Sequence, residues 1–351
     1  FHFLWLRDNC STAIHPDSNM RKFNLLTISK NIKPKKIKHD QNKLVVYWNE
    51  NDHISYYDLK WLRDHCYTEL NSKEFRSPYF LWNNELKNNF EKITLDYNDI
   101  VNKREKLIHW ISLLNEYGLV IIKNSPTKKK SAFKILNMIS HHRETFFGTP
   151  FEVINIPKPN NQAYTADALT NHTDLPYYEY VPGYQFLHCL INDAVGGNST
   201  VVDGFAVASH LRQYEKEIFN LLTTIQVKFK DNDFTQKAIR VLHSPIITLT
   251  KDQDFNDIRM NMGAMGVIDV HPNKMKKFYE AYRFFISLLH DEKFMIEFRL
   301  SSGDIFCFNN RRVLHGRKAF DPNSGRRHLQ GYYVERDDLI ARLNYFNNVE
   351  F

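Results

Sequence analysis

The stretch Asn171-His172-Thr173-Asp174 is the most informative part of this sequence. Residues two apart in an extended segment point to the same face, so His172 and Asp174 present an imidazole and a carboxylate together. His315 follows the apolar run 305–308 and is the candidate third ligand. Two histidines and one carboxylate on one face leave three coordination positions open, as in non-haem Fe(II) oxygenases. A lone His-x-Asp arises often by chance, so the surrounding residues must decide.

Arg327 lies twelve residues after His315, at the start of a predicted strand. Its guanidinium could hold a carboxylate beside a metal ion, because an arginine fork binds a carboxylate through two parallel hydrogen bonds. The alternative is a surface arginine in the basic loop 325–327, and spacing alone leaves both interpretations open. We interpret the pair His141-His142, at a predicted helix end, as structural.

The composition is that of a globular protein, with 351 residues, 42% hydrophobic and 25% charged residues and a formal net charge of +7. The longest apolar runs, such as 118–122, fall well short of the ~18 residues of a membrane helix, which excludes a membrane-spanning protein. The four cysteines lie far apart and fit an intracellular, reducing compartment. The chain does not begin with Met, so the choice between cytoplasm and mitochondrion stays open.

Positive charge is concentrated at residues 30–43 and 128–130, beside residues typical of turns. We interpret both stretches as solvated loops. A nucleic-acid surface would be expected to carry a recognisable binding module, and the sequence shows none. We therefore expect no nucleic-acid partner.

The spacing of apolar residues divides the chain into a small β-rich part and a larger part of strands and helices. Residues 1–75 predict a small domain with strands at 23–29, 44–48 and 54–57 and a short helix after Asp58. Residues 76–98 lack a clear period and predict a linker. The remainder, 99–351, predicts helices at 103–116, 131–141 and 273–290. Short strands between them favour a sandwich or jelly roll; they are predicted at 185–191, 199–203, 246–250, 304–308 and 328–334.

Longer motifs around these residues resemble the 2-oxoglutarate-dependent γ-butyrobetaine hydroxylase family, to which trimethyllysine and taurine dioxygenases are related. The resemblance covers nearly the whole chain, and its motifs lie at 5–10 (WLRDNC), 161–165 (NQAYT), 172–174 (HTD), 182–189 (PGYQFLHC), 196–199 (GGNS), 202–205 (VDGF), 314–317 (LHGR) and 327–331 (RHLQG). It implies a mainly β fold with flanking helices. A double-stranded β-helix, or jelly-roll, catalytic domain would follow a small N-terminal β-rich domain.

The resemblance also implies the chemistry. Fe(II) is expected on His172, Asp174 and His315, and 2-oxoglutarate on Arg327 and the hydroxyl of Ser199. Oxygen is the co-substrate, ascorbate the expected reductant, and succinate and CO2 the co-products. The expected reaction is hydroxylation of γ-butyrobetaine to L-carnitine. A trimethyllysine dioxygenase, or a relative acting on another trimethylammonium or carboxylic acid, remains the second interpretation. A non-catalytic jelly-roll binding protein is the third.

A trimethylammonium group cannot donate hydrogen bonds, so aromatic faces hold it by cation–π attraction. The positions that match the family's substrate cage are Phe147, Phe151, Tyr164 and Tyr333. Asn161 matches the position that contacts the substrate carboxylate and favours γ-butyrobetaine over trimethyllysine. Two features depart from the family pattern: phenylalanine at the first two cage positions, where relatives of the butyrobetaine type have more Tyr and Trp, and the Met-rich segment Arg259-Met260-Asn261-Met262.

In the family, the N-terminal domain binds zinc through three closely spaced cysteines and one histidine. Here Cys10 and His53 match, but residues 11–16 supply no further cysteine. Structural zinc sites require four ligands, so we predict no structural zinc. Relatives form dimers, so a homodimer is expected from the resemblance, although one sequence does not define the interface.

Overall fold

The computed structural model describes residues 1–22, 24–67, 79–156, 162–234 and 236–348. The chain divides into two compact units, Phe1–Arg76 and Ser77–Phe351, close to the boundary predicted at residue 75. Among the described helices, none combines the length and the apolar character that crossing a membrane requires.

The described strands of the first unit form a three-stranded antiparallel sheet, with the order β1-β2-β3. Its elements are α1 (Phe3–Asp8), β1 (Pro34–His39), β2 (Lys43–Trp48), β3 (Ile54–Asp58) and α2 (Leu59–Asp64). Asp58 caps α2, as predicted, by accepting a hydrogen bond from the backbone N–H of Trp61. The core of this unit contains Leu6, Val46, Trp48, Tyr57 and Leu62.

The second unit is built on two sheets. Its strands are β4 (Thr94–Asp96), β5 (Leu119–Lys123), β6 (His142–Arg143), β7 (Phe151–Ile154), β8 (Leu169–His172), β9 (Tyr184–Asn192), β10 (Ser199–Asp203), β11 (Val227–Asp233), β12 (Ala238–Ser244), β13 (Ile247–Leu249), β14 (Phe255–Ile258), β15 (Met295–Phe298), β16 (Ile305–Asn309), β17 (Val313–Arg317) and β18 (Arg327–Val334). The larger sheet has the order β4-β5-β16-β9-β18-β6, with β7 also on β18, and the smaller sheet has the order β15-β10-β17-β8. Side chains of both sheets share one core, including Val201, Phe306, Val313 and Leu329. The predicted sandwich is confirmed.

Helices cover the outside of this sandwich. They are α3 (Tyr97–Asn102), α4 (Arg104–Tyr117), α5 (Phe133–Leu136), α6 (Gly204–Tyr214), α7 (Lys216–Thr224), α8 (Pro272–Leu289) and α9 (Arg336–Asn348). Trp110 of α4 and Leu339 of α9 pack on the outer face of the larger sheet, against Phe186 and Tyr332. Gly118 ends α4 with a positive φ of 68°, as expected for a left-handed C-terminal glycine.

Three predicted elements are wrong. The strand predicted at 23–29 is, in its described part, a 3-10 turn at Leu25–Thr27 capped by Asn24; Phe23 lies outside the described residues. The helix predicted at 131–141 is helical only at Phe133–Leu136. On either side of it the chain forms hydrogen-bonded turns instead of a continuous helix.

The linker predicted at 76–98 is the third error. Its described part, from residue 79, contains β4 and a 3-10 helix, Asn84–Ile93, which is interrupted at Asn89. Leu86 and Ile93 are buried in the core of the second unit. A 3-10 helix has three residues per turn and here carries a kink, so the segment shows neither of the two periods that reveal helices and strands.

Candidate functional site

The three predicted metal ligands meet on the smaller sheet. The register of β8 and β17 places His172 directly opposite His315, and Asp174 follows two residues after His172. Nε2 of His172 lies 3.3 Å from Oδ1 of Asp174, and Nε2 of His315 lies 3.9 Å from the same oxygen. Each residue offers a ligand atom within 4.8 Å of the others. One ion can therefore contact all three.

Neighbouring groups orient these ligands. Nδ1 of His172 donates to the carbonyl of Thr170 at 2.8 Å, which leaves the Nε2 lone pair free for a metal ion. Asn310 holds the backbone of Asp174 at both ends, since its amide accepts from the Asp174 N–H at 2.7 Å and donates to the Asp174 carbonyl at 3.0 Å. The Tyr333 hydroxyl donates to Oδ2 of Asp174 at 2.7 Å. Oδ1 is thus left facing the two imidazoles.

Burial and mutual attraction set the charges of this group. Burial lowers the pKa of His315 to about 3, and the neighbouring His172 adds to this effect. Burial opposes protonation of His172, but Asp174 outweighs it and raises the pKa of that imidazole. Burial likewise opposes ionisation of Asp174, yet the hydrogen bond from His172 and the proximity of His315 hold the pKa of the carboxyl below its usual range. An ionised carboxylate beside a neutral His315 suits metal binding, which requires deprotonated ligands.

Ser199 and Arg317 lie next to this group. Ser199 of β10 is paired with Arg317 of β17, two residues or about 7 Å along the strand from His315. Both are buried. Arg317 donates to the carbonyls of Thr165 at 2.8 Å and Asp167 at 2.7 Å and so holds the loop before β8.

Arg327 begins β18 close to Arg317, and burial, followed by the charge of Arg327, lowers the pKa of Arg317 to about 10. Burial lowers the pKa of Arg327 to about 10. Its Nε is buried without a hydrogen-bond partner, and no acidic side chain of the described residues forms an ion pair with it. A Cβ at Gly197 would lie 3.2 Å from that Nε, so a glycine gives the guanidinium its space. This environment does not match a solvated loop arginine and fits a carboxylate ligand.

Of the predicted cage residues, three share one apolar cluster. The rings of Phe151 and Tyr333 are stacked with centroids 5.1 Å apart, and Phe147 lies 6.2 Å from Phe151. A Cβ at Gly331 would overlap the Phe151 ring, so the glycine on β18 permits the stacking. Tyr164 is not one of the residues of this cluster, but it is near enough to Tyr333 to contribute, after burial, Asp174 and Tyr177, to the raised pKa of that tyrosine. Asn161 lies outside the described residues.

The sequence reasoning missed further residues of the site. Tyr177 and Tyr178 pack against the aromatic cluster. Burial, followed by the nearby Asp231 and Asp174, raises the pKa of Tyr177. The position of both tyrosines, three and four residues after Asp174, was the available signal. No signal in the sequence pointed to Asn310, because it lies 136 positions from its partner Asp174.

In the first unit, the two residues that match the family's zinc ligands come together. Sγ of Cys10 lies 3.6 Å from Nε2 of His53, and the Thr12 hydroxyl donates to the same sulfur at 3.2 Å. Position 12 thus supplies a hydroxyl where a further thiolate would be required. The absence of structural zinc stays a prediction.

Known proteins that are similar to this chain are named as dioxygenases. The family model described as "Taurine catabolism dioxygenase TauD, TfdA family" matches residues 82–333. The gamma-butyrobetaine dioxygenase of Pseudomonas sp. (strain AK-1) is 36% identical over 349 residues, which cover 98% of this chain and 89% of that protein. The Homo sapiens gamma-butyrobetaine dioxygenase is 29% identical, covering 97% and 89%. The mitochondrial trimethyllysine dioxygenase of Rattus norvegicus is also 29% identical, covering 97% and 81%.

Solved structures show the same jelly-roll fold. An asparagine oxygenase in complex with Fe(II), 2S,3S-3-hydroxyasparagine and succinate superimposes with a TM-score of 0.51 at 15% identity, covering 69% of this chain and 93% of that chain. The non-heme iron oxygenase OrfP, in complex with Fe, succinate and (3S)-hydroxy-L-Arg, gives 0.50 at 16% identity, covering 67% and 81%. The chain therefore belongs to the TauD, TfdA family of dioxygenases, and within it to the group of the gamma-butyrobetaine dioxygenases.

Proposed function

We propose that this oxidoreductase uses Fe(II), 2-oxoglutarate and O2 to hydroxylate γ-butyrobetaine to L-carnitine, with release of succinate and CO2. The observation that carries the proposal is the meeting of His172, Asp174 and His315 beside an aromatic cluster, in a chain that is 36% identical over 98% of its length to a gamma-butyrobetaine dioxygenase. The trimethyllysine dioxygenase of Rattus norvegicus and the gamma-butyrobetaine dioxygenase of Homo sapiens are both 29% identical to this chain, so the preference for γ-butyrobetaine rests on the relative at 36%.

His172 and His315, through Nε2, and Asp174, through Oδ1, would hold the iron. Bound iron, together with 2-oxoglutarate and O2, supplies the oxidising power to break an unactivated C–H bond. Because Tyr333 donates to Oδ2, Asp174 would offer the ion Oδ1 alone, and three coordination positions would stay open.

Arg327 would bind the distal carboxylate of 2-oxoglutarate, with the Ser199 hydroxyl beside it. The support is a largely buried guanidinium that has no acidic partner within the described residues. A charge-assisted, two-point hydrogen bond to a carboxylate satisfies it and fixes the orientation of the cosubstrate.

Phe147, Phe151 and Tyr333, with Tyr164 at the edge, would hold the trimethylammonium group. Each ring face contributes roughly 0.5–2 kcal/mol of cation–π attraction, more where water is excluded. The same apolar walls keep water from the reacting carbon. Asn161 is proposed to contact the substrate carboxylate at the other end.

A substrate panel tests this function. The purified protein is incubated with Fe(II), ascorbate and 2-oxoglutarate, with γ-butyrobetaine, trimethyllysine or taurine, and succinate and hydroxylated product are measured. We expect both products to rise in equal amounts with γ-butyrobetaine and much less with the other two. A preference for trimethyllysine would overturn the substrate, and the absence of iron-dependent turnover with every compound would overturn the assignment of the ligands. Light scattering on the same preparation measures the molar mass in solution and so tests the homodimer expected from the family resemblance.

A further inference from the structure

Arg259 is a buried arginine to which the proposed chemistry assigns no role. It follows β14, and its guanidinium binds one loop at several points. Nη1 donates to the carbonyls of Pro176 at 3.0 Å and Tyr178 at 2.7 Å, and Nη2 donates to the carbonyl of Glu179 at 2.9 Å. Nε donates to Oδ1 of Asp257 at 3.0 Å. A planar fork is required for this pattern, because a lysine ammonium is a single point charge.

The loop that Arg259 binds follows directly after the metal ligand Asp174. Its first residue, Leu175, has a φ of 57°, a left-handed conformation that is unfavourable for a residue with a branched side chain. Such a conformation persists only where the surroundings impose it. The leucine packs against Phe151 and Tyr333, and Tyr177 joins the same cluster. The loop therefore contributes to the aromatic cluster that would form the aromatic pocket for the trimethylammonium group, and the shape of the loop depends on contacts from outside it.

The backbone beside Arg259 is fixed to the metal segment. The N–H of Thr173 donates to the carbonyl of Met260 at 2.7 Å, and the N–H of Met260 donates in return to the Thr173 hydroxyl at 3.0 Å. Thr173 lies between His172 and Asp174. The backbone next to Arg259 is thus hydrogen-bonded to the segment that carries His172 and Asp174, and the side chain of Arg259 binds the loop that follows Asp174.

Asp257 supplies the negative charge that this buried guanidinium requires. It is itself buried, and its Oδ2 accepts from the Thr248 hydroxyl at 2.8 Å and from Nη2 of Arg311 at 3.2 Å. Arg311 therefore shares the carboxylate with Arg259. Arg259 alone of the two reaches the carbonyls of the pocket loop among the described contacts.

We propose that Arg259 is a positioning residue for substrate selection. It holds residues 175–179 so that Tyr177 and Tyr178 close the aromatic pocket around the trimethylammonium group. The identity of that group rests on the proposed function. Arg259 touches neither the side chains of the metal ligands nor the region of Arg327, so its effect belongs to substrate binding and not to the use of 2-oxoglutarate.

The test compares Arg259→Lys with the matched control Arg311→Lys. Both variants keep the positive charge next to Asp257, but only the first loses the three carbonyl contacts. For Arg259→Lys we expect the KM for γ-butyrobetaine to rise by about 10-fold or more, since several hydrogen bonds to a charged group are lost. The KM for 2-oxoglutarate and the substrate-free succinate production should stay within about 2-fold of wild type. Arg311→Lys should leave all three values near those of wild type.

An unchanged KM for γ-butyrobetaine, or an equal rise of both KM values, would overturn the proposal. If Arg259→Lys does not fold, Asp257→Asn serves as the second variant, because it removes the charge that orients Arg259 and keeps the side-chain volume. The same selective rise in KM is expected there, and an equal loss for both substrates would count against the proposal. The wild-type panel is measured first. If the wild type prefers another trimethylammonium acid, the KM values of the variants are measured with that compound. Such a preference would contradict the proposed function but not the role of Arg259.

Discussion

Tyr333 serves the aromatic cluster with its ring and the candidate metal centre with its hydroxyl. The ring stacks on Phe151, and the hydroxyl donates to Oδ2 of Asp174. Tyr333→Phe keeps the ring and removes only the hydrogen bond to the carboxylate. Because partners of metal ligands typically contribute 10- to 100-fold in affinity, we expect Mn(II) to bind about 10-fold more weakly, measured by titration without substrate.

Tyr332→Phe is the matched control for that experiment. Tyr332 is the preceding residue on β18 and is also buried, but its hydroxyl donates to Gln330 at 3.1 Å on the outer face of the sheet. Its loss should leave Mn(II) affinity unchanged. Equal effects of the two substitutions would show that the hydroxyl of Tyr333 has no specific role.

Arg327 is expected to determine the requirement for 2-oxoglutarate. A hydrogen bond to a charged group contributes about 1.5–3 kcal/mol, so Arg327→Ala should raise the KM for 2-oxoglutarate by about 10- to 100-fold. The KM for γ-butyrobetaine should change little. Arg326→Ala, in the exposed residue just before it, is the control and should have no effect. A 2-oxoglutarate requirement that is unchanged in Arg327→Ala would contradict the assignment.

At this scale, the sequence predicted which candidate ligands lie close together where their spacing is local. His172 and Asp174 are predicted by a two-residue step, and His315 by a strand that precedes it. The contacts of Asn310 and Arg259 were not predictable, because each side chain binds backbone groups about 80 to 136 positions away. Neither residue belongs to a local pattern, and only the folded chain brings the partners together.

Strand β9 carries a buried histidine that makes the fold sensitive to acid. The Ser125 hydroxyl donates to the Gly303 carbonyl and so accepts from Nε2 of His188, which lies 3.0 Å away. Nδ1 of His188 has no partner in the described part of the chain. Burial lowers the pKa of His188 to about 4. As the pH falls, His188 therefore becomes protonated in the unfolded chain before it does so in the folded one. The contribution of the neutral His188 to the free energy of unfolding is complete above pH 6.5 and is lost as the pH falls towards 4.

His188→Gln should remove that part of the pH dependence. The change in pKa corresponds to roughly 2–4 kcal/mol between pH 7 and pH 4, and urea unfolding at several pH values measures it. The variant should lose less stability on acidification than wild type. His243→Gln, at an exposed position of β12, is the control and should keep the wild-type slope. Parallel slopes for all three proteins would exclude His188 as the cause.

Elements were predictable where their signal is local and complete. The helix predicted at 273–290 is α8, and the strand predicted at 199–203 is β10. The hairpin of β11 and β12 was missed, because charged residues alternate with apolar ones and several of the apolar ones, such as Ile239 and Val241, are exposed. Only the start of β11 buries alternate residues, Val227 and Phe229, so the alternation is too short to predict the hairpin.

The arrangement of the whole second unit follows from pairings between distant segments. Many short strands indicated a sandwich, but the order β15-β10-β17-β8 could not be read from the sequence, since its neighbours are not consecutive. The family resemblance supplied the overall architecture that the local patterns did not. The candidate metal site depends on this order, because β17 places His315 between the strand of Ser199 and the strand of His172.

One buried ion pair joins several layers of this unit, and its loss should destabilise them together. Arg312 and Asp203 are fully buried, with Nη2 and Oδ2 2.7 Å apart. Arg312 also donates to the carbonyls of Glu116 and Phe80, while Asp203 accepts from the N–H of Trp82. Asp203→Asn keeps an acceptor for the first turn of α6, since Asn caps helices as well as Asp does. It leaves the guanidinium buried without its charge partner, which should cost about 3–5 kcal/mol of unfolding free energy.

Urea unfolding, monitored by tryptophan fluorescence, measures this loss of unfolding free energy. The loss is compared with that caused by breaking an exposed ion pair of the same unit. Glu217 lies 2.6 Å from Lys277 at the surface, where both side chains are more than half exposed. Glu217→Gln should change the free energy of unfolding by less than about 1 kcal/mol, because solvent screens such pairs. A loss of the same small size in Asp203→Asn would mean that the layers are held by their apolar cores and not by this pair. A large loss confined to Asp203→Asn would identify the pair as the polar link between α4, the segment at 80–82 and the strands that carry the candidate metal ligands.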